Sequence, residues 1–232
     1  MRGEGCVPTI DHRAYDAVLL DMNGTFMFGH DRFSQDEDFA ATYRRLGGDV
    51  LDAKAVQSLV SVCCTMLIER YEDAAWYDRF PCVRQVLQEI PGAADIDRIA
   101  DVIACHELGE VSTAHQGVLR QLSKTHKLGV VSNIWSGKQR WLDHFKKHRL
   151  TDVFGAMVFS SDGPHIKPSP VLFEQAASAL GVAPERCLFV GDDPLRDIAP
   201  ARALGMGTLL IDPKAAPDEG CVADVSEILE LL

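Results

Sequence analysis

The fold depends on the stretch AVLLDMNGT, residues 17–25. Its first four residues form an uninterrupted apolar run, and Asp21 follows directly, ahead of the turn-forming pair Asn23 and Gly24. A short apolar run bounded by turn residues is typical of a strand that is buried on both faces in a parallel sheet. An Asn-Gly pair between apolar residues is also typical of a β-hairpin turn, so this stretch alone leaves both structures open.

Four later stretches repeat the apolar run and extend the prediction to a whole sheet. Helical patterns separate them, and the first three end about thirty residues apart, which is the length of one βαβ unit. This alternation predicts an α/β fold with a doubly wound parallel sheet. The four stretches cover residues 127–132, 156–160, 187–191 and 208–211.

One interval breaks this spacing. The second run ends at Ser132, 111 residues beyond Asp21, and a single crossover helix cannot use so many residues. Loops of that length are seldom without structure, so roughly 80 residues should form an inserted helical domain. We therefore expect residues 1–31 and 112–232 to form the α/β core domain and residues 32–111 to form a helical cap domain.

The composition is that of an ordinary folded protein with an acidic balance. Of 232 residues, 47% are hydrophobic and 25% are charged, which is enough apolar sequence for a sizeable core. An excess of acidic over basic residues, 34 against 23, gives a formal net charge of -11. We therefore expect no nucleic-acid partner, because no basic face is available to neutralise a phosphate backbone. An anionic substrate would need positive charge supplied locally, by a metal ion or by placed lysines.

Cysteine usage and hydropathy predict a cytoplasmic protein. The seven cysteines show no Cys-x-x-Cys spacing, which fits a reducing compartment. No stretch approaches the roughly 18 apolar residues of a membrane span, so no membrane association is expected. Residues 1–13 lack the basic-then-apolar order of a signal peptide. Cys63 and Cys64 lie in the apolar run SLVSVCCTMLI and are interpreted as packing residues rather than a redox pair.

Polar and charged residues collect at the predicted carboxyl ends of the strands, where open α/β sheets bind ligands. The set contains a carboxylate that can act as a nucleophile, hydroxyl and amide donors, one ammonium group and an acidic cluster. Each of these groups has a use in phosphoryl transfer, which depends on positioning and on charge stabilisation. In chain order the residues are Asp21, Ser132, Asn133, Lys167, Asp192, Asp193 and Asp197.

The segments that carry these residues resemble four motifs of the haloacid dehalogenase (HAD) superfamily of hydrolases, in a form with a helical, C1-type cap. All four follow the superfamily's order, each at a predicted strand end, and the resemblance covers nearly the whole chain. It implies a Rossmann-like core and a Mg²⁺-dependent hydrolase, most simply a phosphatase of a small phosphorylated metabolite. The segments are DMNGT at 21–25, VVSN at 130–133, KPSP at 167–170 and GDDPLRD at 191–197.

The resemblance also implies which residues handle the phosphoryl group. Asp21 would be the nucleophile that forms an aspartyl-phosphate. Gly24 would permit a tight turn beside it, and Thr25 would hold phosphoryl oxygens. Ser132 would hold phosphoryl oxygens as well, and Asn133 would bind the substrate next to it.

A second group of residues would supply charge and hold the metal. Lys167 would neutralise charge between the nucleophile and the phosphoryl group. The main-chain carbonyl of Asn23 and the carboxylates of Asp192 and the nucleophile would bind Mg²⁺. Asp197, with Asp193 in the same role, would orient ligands around the metal. Asp193 or Asp192 would alternatively cap the helix that follows.

Asn23 departs from the superfamily's phosphatases, which carry a second aspartate at this position as general acid and base. An amide has no titratable proton near neutral pH, so a rate factor of roughly 10² to 10⁴ is missing at this residue. The superfamily's dehalogenases, which need no metal, and its phosphonoacetaldehyde hydrolases lack that aspartate too. The latter need a Schiff-base lysine on the cap, where Lys54 is the only lysine between Phe26 and Thr113. A third alternative is a weakened phosphatase that binds phosphate or a partner.

Two further patterns admit structural as well as functional explanations. His144 and His148 lie four residues apart on one predicted helix face, but the sequence shows no third zinc ligand, and we interpret them as a solvated face. The segment RYEDAAWYDRF, residues 70–80, either lines the mouth of the substrate site or joins the cap to a second copy of the chain. A homodimer is accordingly one of the expectations.

Overall fold

The computed structural model describes residues 15–214 and 220–232, so the interpretation of residues 1–13 lies outside the described residues. Within those ranges the sheet has six parallel strands in the order β3-β2-β1-β4-β5-β6. This confirms the predicted doubly wound parallel sheet. The strands are β1 Ala17–Leu20, β2 Lys127–Ser132, β3 Ala156–Phe159, β4 Cys187–Gly191, β5 Gly207–Ile211 and β6 Cys221–Val222.

The central strand β1 places Asp21 in the middle of the sheet edge. β1 pairs in parallel with β2 on one side and with β4 on the other, and its side chains are fully buried. Val18 and Leu20 pack in the hydrophobic cluster on one face, while Ala17 and Leu19 pack in the cluster on the other face. Burial on both faces explains why this strand is apolar throughout. The Asn-Gly pair therefore does not form a hairpin turn, because both neighbours of β1 are parallel strands.

Helices cover both faces of the sheet, and five of them lie between β1 and β2, of which the first four belong together. These four, which we call the helical insert, are α1 Phe39–Arg45, α2 Ala53–Glu72, α3 Val83–Glu89 and α4 Ile96–Glu107. The helices after the insert are α5 Thr113–Leu122, α6 Gln139–Lys147, α7 Val171–Leu180, α8 Ala199–Ala203 and α9 Ile228–Leu231. None of the helices in the described ranges is both long enough and apolar enough to cross a membrane.

The helical insert is built around a hydrophobic cluster that also includes Ile166, from the loop after β3. From α2 it takes Val56, Val60, Cys63 and Leu67, which recur every three to four residues and therefore lie on one face of the helix. Burial raises the pKa of the Cys63 thiol to about 12. The thiol stays protonated and packs as a small apolar group, as the sequence indicated.

Two linkers join the helical insert to the sheet, and they run side by side. We define the first linker as residues 28–33 and the second as residues 108–112. Phe28 and Glu110 exchange main-chain hydrogen bonds of 3.0 and 2.8 Å across them. The guanidinium of Arg32 donates to main-chain oxygens of both linkers, at 2.7 and 3.2 Å. The two chain connections to the insert thus form one paired strip of backbone.

Candidate active site

Asp21 is buried at the carboxyl end of β1, where two side chains from distant segments donate to it. The hydroxyl of Ser132, at the end of β2, donates to Oδ1 of Asp21 at 3.0 Å. The ammonium of Lys167, in the loop after β3, donates to the same oxygen at 2.6 Å. Two donors on one oxygen fix the direction of the carboxylate, which is the positioning that an attacking group needs.

The backbone of the turn after Asp21 lies close to Asp192, in the segment GDDPLRD. Three consecutive main-chain amides, those of residues 25–27, donate to the carbonyl oxygen of Met22 and close the turn. Gly24 has a φ of +79°, and a Cβ atom at this position would lie 2.2 Å from Oδ2 of Asp192. The left-handed backbone and the close carboxylate both require glycine here.

Lys167 is buried between two carboxylates. Its Nζ atom donates to Oδ1 of Asp21 and to Oδ1 of Asp197, both at 2.6 Å. Burial acts against the ammonium charge, but Asp197 and Asp21 outweigh it and raise the pKa of Lys167. The lysine therefore stays protonated and places a positive charge directly against Asp21.

Three carboxylates form an acidic cluster at this sheet edge. Carboxylate oxygens of Asp21, Asp192 and Asp197 all lie within 4.8 Å of one another. Burial and the charge of Asp21 raise the pKa of Asp192 to about 6. Three carboxylates against the single ammonium of Lys167 leave an excess of negative charge. An oxygen-only set of this kind suits a hard cation such as Mg²⁺.

Asp193 has the capping role that the sequence left open. Its Oδ1 atom accepts hydrogen bonds from the main-chain amides of Leu195 and Arg196, at 2.8 and 3.0 Å. These amides begin a π-helical turn, Pro194–Ile198. The main-chain amide of Asp193 donates in turn to Oδ2 of Asp197 at 3.1 Å. The structure thus groups Asp192 and Asp197 with Asp21, and it uses Asp193 to shape the loop between them.

Two side-chain oxygens in the turn after β1 have no hydrogen-bond partner among the described residues. They are Oδ1 of Asn23 and Oγ1 of Thr25, and both atoms are buried. A buried polar atom without a partner lowers stability, so an unpaired one at a cleft needs an explanation. For Asn23, which lines the cavity at this sheet edge, contact with a bound ligand is the explanation that its position favours.

Asn133 joins the lysine loop to the helical insert. Its Oδ1 atom accepts a hydrogen bond from the main-chain amide of Lys167 at 2.8 Å. Its Nδ2 group donates to the phenol oxygen of Tyr71, in the last turn of α2, at 3.0 Å. The amide side chain is therefore occupied by protein groups, and it fixes the position of the backbone that carries the lysine.

Sequence reasoning missed the contribution of Arg196. Its guanidinium carbon lies 3.7 Å from the centre of the Tyr71 ring, which is a close cation–π contact. The same group donates to the main-chain oxygens of Lys167 at 2.9 Å and of Tyr71 at 2.7 Å. The aromatic and charged character of residues 70–80 is the signal that the sequence offers for this contact. The position of Tyr71 favours the first of the two explanations for that segment, the mouth of the site.

Glu107, also missed, ties the end of α4 to the loop after β2. Its two carboxylate oxygens accept hydrogen bonds from the main-chain amides of Trp135 and Ser136. Burial raises the pKa of Glu107 to about 7 in spite of these bonds. No local pattern indicates this role, because the contact joins residues that only the tertiary fold brings together.

These groups surround a cavity of about 200 Å³. The carboxyl edge of the sheet contributes the acidic cluster, Lys167 from the loop after β3, and the residues at the end of β2. The helical insert and its first linker contribute His30, Asp31, Tyr71 and Glu107. The insert therefore lies over the carboxyl edge of the sheet, on the same side as Asp21.

The pair His144 and His148 has a third neighbour that the sequence did not show. Oε2 of Glu110 lies 3.8 Å from Nε2 of His144 and 4.0 Å from Nε2 of His148. However, the Nε2 group of Gln116 donates to the Val111 carbonyl and lies 3.0 Å from Nδ1 of His148. This places the proton of a neutral His148 on Nε2, where a metal would need a lone pair. We still interpret this pair as a feature without zinc. The prediction of a solvated helix face is wrong for His144, which is buried.

Curated relatives match parts of the chain. The phosphoserine phosphatase of Thermus thermophilus is 37% identical over 86 residues, which are 34% of this chain and 34% of the relative. The phosphoglycolate phosphatase of Xylella fastidiosa is 30% identical over 135 residues, which are 56% of this chain and 58% of the relative. The matches thus span between a third and somewhat over half of the length of these two relatives.

Solved structures and a family model cover much more of the chain. A 2-haloacid dehalogenase from Pseudomonas syringae pv. Tomato superposes with a TM-score of 0.65 at 21% identity, over 94% of this chain and 97% of that one. A HAD phosphatase from Thermococcus onnurineus gives 0.63 at 20% identity, over 93% and 97%. At such identities these structures show a common fold. The family model for haloacid dehalogenase-like hydrolase matches residues 15–205, and the chain therefore belongs to that hydrolase family.

Proposed function

We propose that this chain is a Mg²⁺-dependent phosphatase that hydrolyses a small phosphorylated metabolite through an aspartyl-phosphate on Asp21. The observation that carries the proposal is the Asp21 carboxylate, held by Lys167 and Ser132 beside an acidic cluster. Relatives named phosphoserine phosphatase and phosphoglycolate phosphatase support a small phosphate ester as the substrate. A cavity of about 200 Å³ supports a small molecule as well.

The donor atoms at the sheet edge fit Mg²⁺. Asp21 and Asp192 would hold the ion together with the main-chain carbonyl of Asn23, since all three offer oxygen. Asp197 would orient this set from outside, because its two oxygens already accept from Lys167 and from a main-chain amide. Bound there, the ion would offset the charge of the phosphoryl oxygens.

In the first step an oxygen of Asp21 attacks the phosphorus atom of the ester. The bond from phosphorus to the leaving oxygen breaks, and that oxygen takes up a proton. Lys167 offsets the negative charge between the carboxylate and the phosphoryl group. The buried hydroxyl of Thr25 has no partner among the described residues, and we assign it to a phosphoryl oxygen.

In the second step a water molecule attacks the phosphorus of the aspartyl-phosphate. The bond from phosphorus to Asp21 breaks, phosphate is released, and the attacking water loses a proton. Asn23 serves neither proton transfer, because an amide does not titrate near neutral pH. The two transfers therefore need another group or bulk solvent.

The helical insert, within the predicted cap of residues 32–111, would close over this chemistry and select the substrate. Residues 1–31 and 112–232 would form the core that carries the reacting groups. Tyr71 and Glu107 already lie in the cavity wall, so the cap contributes side chains to the site. Closure would exclude water during the first step.

Other reactions on the same fold have less support. Lys54 is exposed in the first turn of α2, and Tyr71 reaches the cavity from 17 residues further along that helix. At 1.5 Å per residue this places Lys54 about 25 Å away, too far for a Schiff base in the cavity. Dehalogenases of the superfamily need no metal, whereas the acidic cluster leaves negative charge that a cation would balance.

A panel of phosphate esters, with and without Mg²⁺, tests the proposal. We expect hydrolysis by the unmodified protein that needs Mg²⁺ and is lost in Asp21→Asn, a variant of nearly the same shape. Release of halide from a haloacid without metal would instead show a dehalogenase. Mg²⁺ or phosphate binding without turnover of any ester would show a binding module.

A further inference from the structure

His30 is a titratable group in the cavity wall with no part in the two steps above. It belongs to the first linker and lines the same cavity as Asp21 and Asn23. Its Nδ1 atom is buried and has no hydrogen-bond partner within residues 15–214 and 220–232. A buried ring nitrogen without a partner is costly unless something else contacts it. In a cavity this small, that contact would be the substrate.

The backbone holds His30 in place from both sides. The residue before it, Gly29, has a φ of +69°, and the residue after it, Asp31, has a φ of +52°. A left-handed non-glycine residue is strained and persists where its surroundings enforce it. Here the amide of Asp31 donates to the carbonyl of Glu107 at 3.3 Å. A Cβ atom on Gly109 would lie 3.2 Å from Cβ of His30, so the base of the His30 side chain lies against the second linker.

A carboxylate lies beside the other ring nitrogen. Oδ2 of Asp31 is 3.8 Å from Nε2 of His30, within ion-pair distance. With the carboxylate beside this nitrogen, the other ring nitrogen is left for proton transfer. The other charged groups of the cavity wall are Glu107, Lys167, Arg196 and the acidic cluster with Asp193.

We propose that His30 carries out the proton transfers that Asn23 cannot. As an imidazolium it gives a proton to the leaving oxygen while the Asp21–phosphorus bond forms and the ester bond breaks. As a neutral imidazole it then takes a proton from the water that attacks phosphorus, while the bond to Asp21 breaks. One proton is given and one is taken, so the residue returns to its starting state. The inference rests on the proposed phosphatase function.

The leaving group distinguishes this role from a structural one. An alkyl alcohol is a poor leaving group and needs a proton as it departs, whereas a nitrophenol leaves readily as its anion. We expect His30→Gln to lower kcat for an alkyl phosphate by roughly 10²- to 10⁴-fold, the range typical of general acid catalysis. The release of p-nitrophenol from p-nitrophenyl phosphate in the first turnover should fall much less, because only the later hydrolysis of the aspartyl-phosphate then needs His30, and that first turnover also shows that the variant is folded. His126→Gln, a histidine outside the cavity, is the matched control.

A second variant separates proton transfer from positioning. Adding Asn23→Asp to His30→Gln restores a titratable group near the leaving oxygen and should recover alkyl phosphate hydrolysis. Equal losses of the first-turnover rate for both esters, or no rescue by Asn23→Asp, would overturn the role of His30. If the unmodified protein and Asn23→Asp alone both leave every ester intact with Mg²⁺ present, the phosphatase proposal fails and the role of His30 fails with it.

Discussion

Asn23 shows how one residue changes the chemistry of a site whose other contacts are complete. Ser132 and Lys167 still hold Asp21, and Gly24 still allows Asp192 to approach. In the proposed phosphatase, an amide at residue 23 lacks the proton that a carboxyl group there would carry, while the main-chain carbonyl at this position is unaffected. The effect of residue 23 should therefore depend on the leaving group rather than on metal binding.

We expect Asn23→Asp to raise kcat for alkyl phosphates more than for aryl phosphates. With His30 present the gain should stay below about 10²-fold, because a second acid adds little where one already acts. Steady-state kinetics on both ester types measures this. Asn-Gly sequences deamidate, so mass spectrometry of the peptide around residue 23 must accompany activity over storage time. If fresh, fully amidated protein matches Asn23→Asp on alkyl phosphates, residue 23 has no part in proton transfer.

Glu107 permits a prediction about stability and pH. Its pKa of about 7 in the folded protein exceeds the ordinary 4.5, so the folded state binds the proton more tightly than the unfolded state. This contribution to stability is complete below pH 4.5 and disappears as the pH rises to about 7. The difference in unfolding free energy between the unmodified protein and Glu107→Gln should therefore shrink over this range, by up to about 1.4 kcal/mol per pH unit. Denaturant titrations at several pH values measure it, and a constant difference would contradict the prediction.

At the scale of elements, Arg196 connects the last motif to the end of α2. A lysine keeps the charge but loses the planar stack on Tyr71 and the two directed hydrogen bonds. We expect Arg196→Lys to raise KM several-fold and to speed amide hydrogen exchange in the last turn of α2. Arg79→Lys is the matched control, since Arg79 stacks on Trp76 in the same segment. Unchanged exchange at α2 would show that Arg196 does not hold the helical insert.

The sequence predicted the elements whose signal is local. Strand β1 is readable because burial on both faces demands an unbroken apolar run. Strand β6 was missed, because its two residues, Cys221–Val222, are too few to show a pattern. Asp193 and Asp192 are adjacent carboxylates. Only the direction of each side chain decides which residue caps the helical turn and which joins the acidic cluster. The contact of Arg196 with Tyr71 joins residues 125 apart and depends on how the insert folds back.

At the scale of the whole molecule, the net charge of -11 opposes the approach of an anionic substrate. The cavity wall shows the same excess of negative charge. It contains five aspartates and Glu107, and the lysine and arginine in it are Lys167 and Arg196. A bound Mg²⁺ would reduce the negative potential there without reversing it.

Salt should therefore speed the capture of substrate. We expect kcat/KM for a dianionic phosphate ester, at saturating Mg²⁺, to rise a few-fold between about 0.01 and 0.15 M ionic strength, as the Debye length falls from about 30 to 8 Å. We expect kcat at saturating substrate to stay nearly constant, because the screened repulsion acts on the approach of the substrate. A phosphate ester that also carries a quaternary ammonium group is the control, because its lower net charge should make it less sensitive to salt. A fall of kcat/KM with salt for the dianion would mean that Mg²⁺, Lys167 and Arg196 together attract the substrate over a longer range than the surface acids repel it.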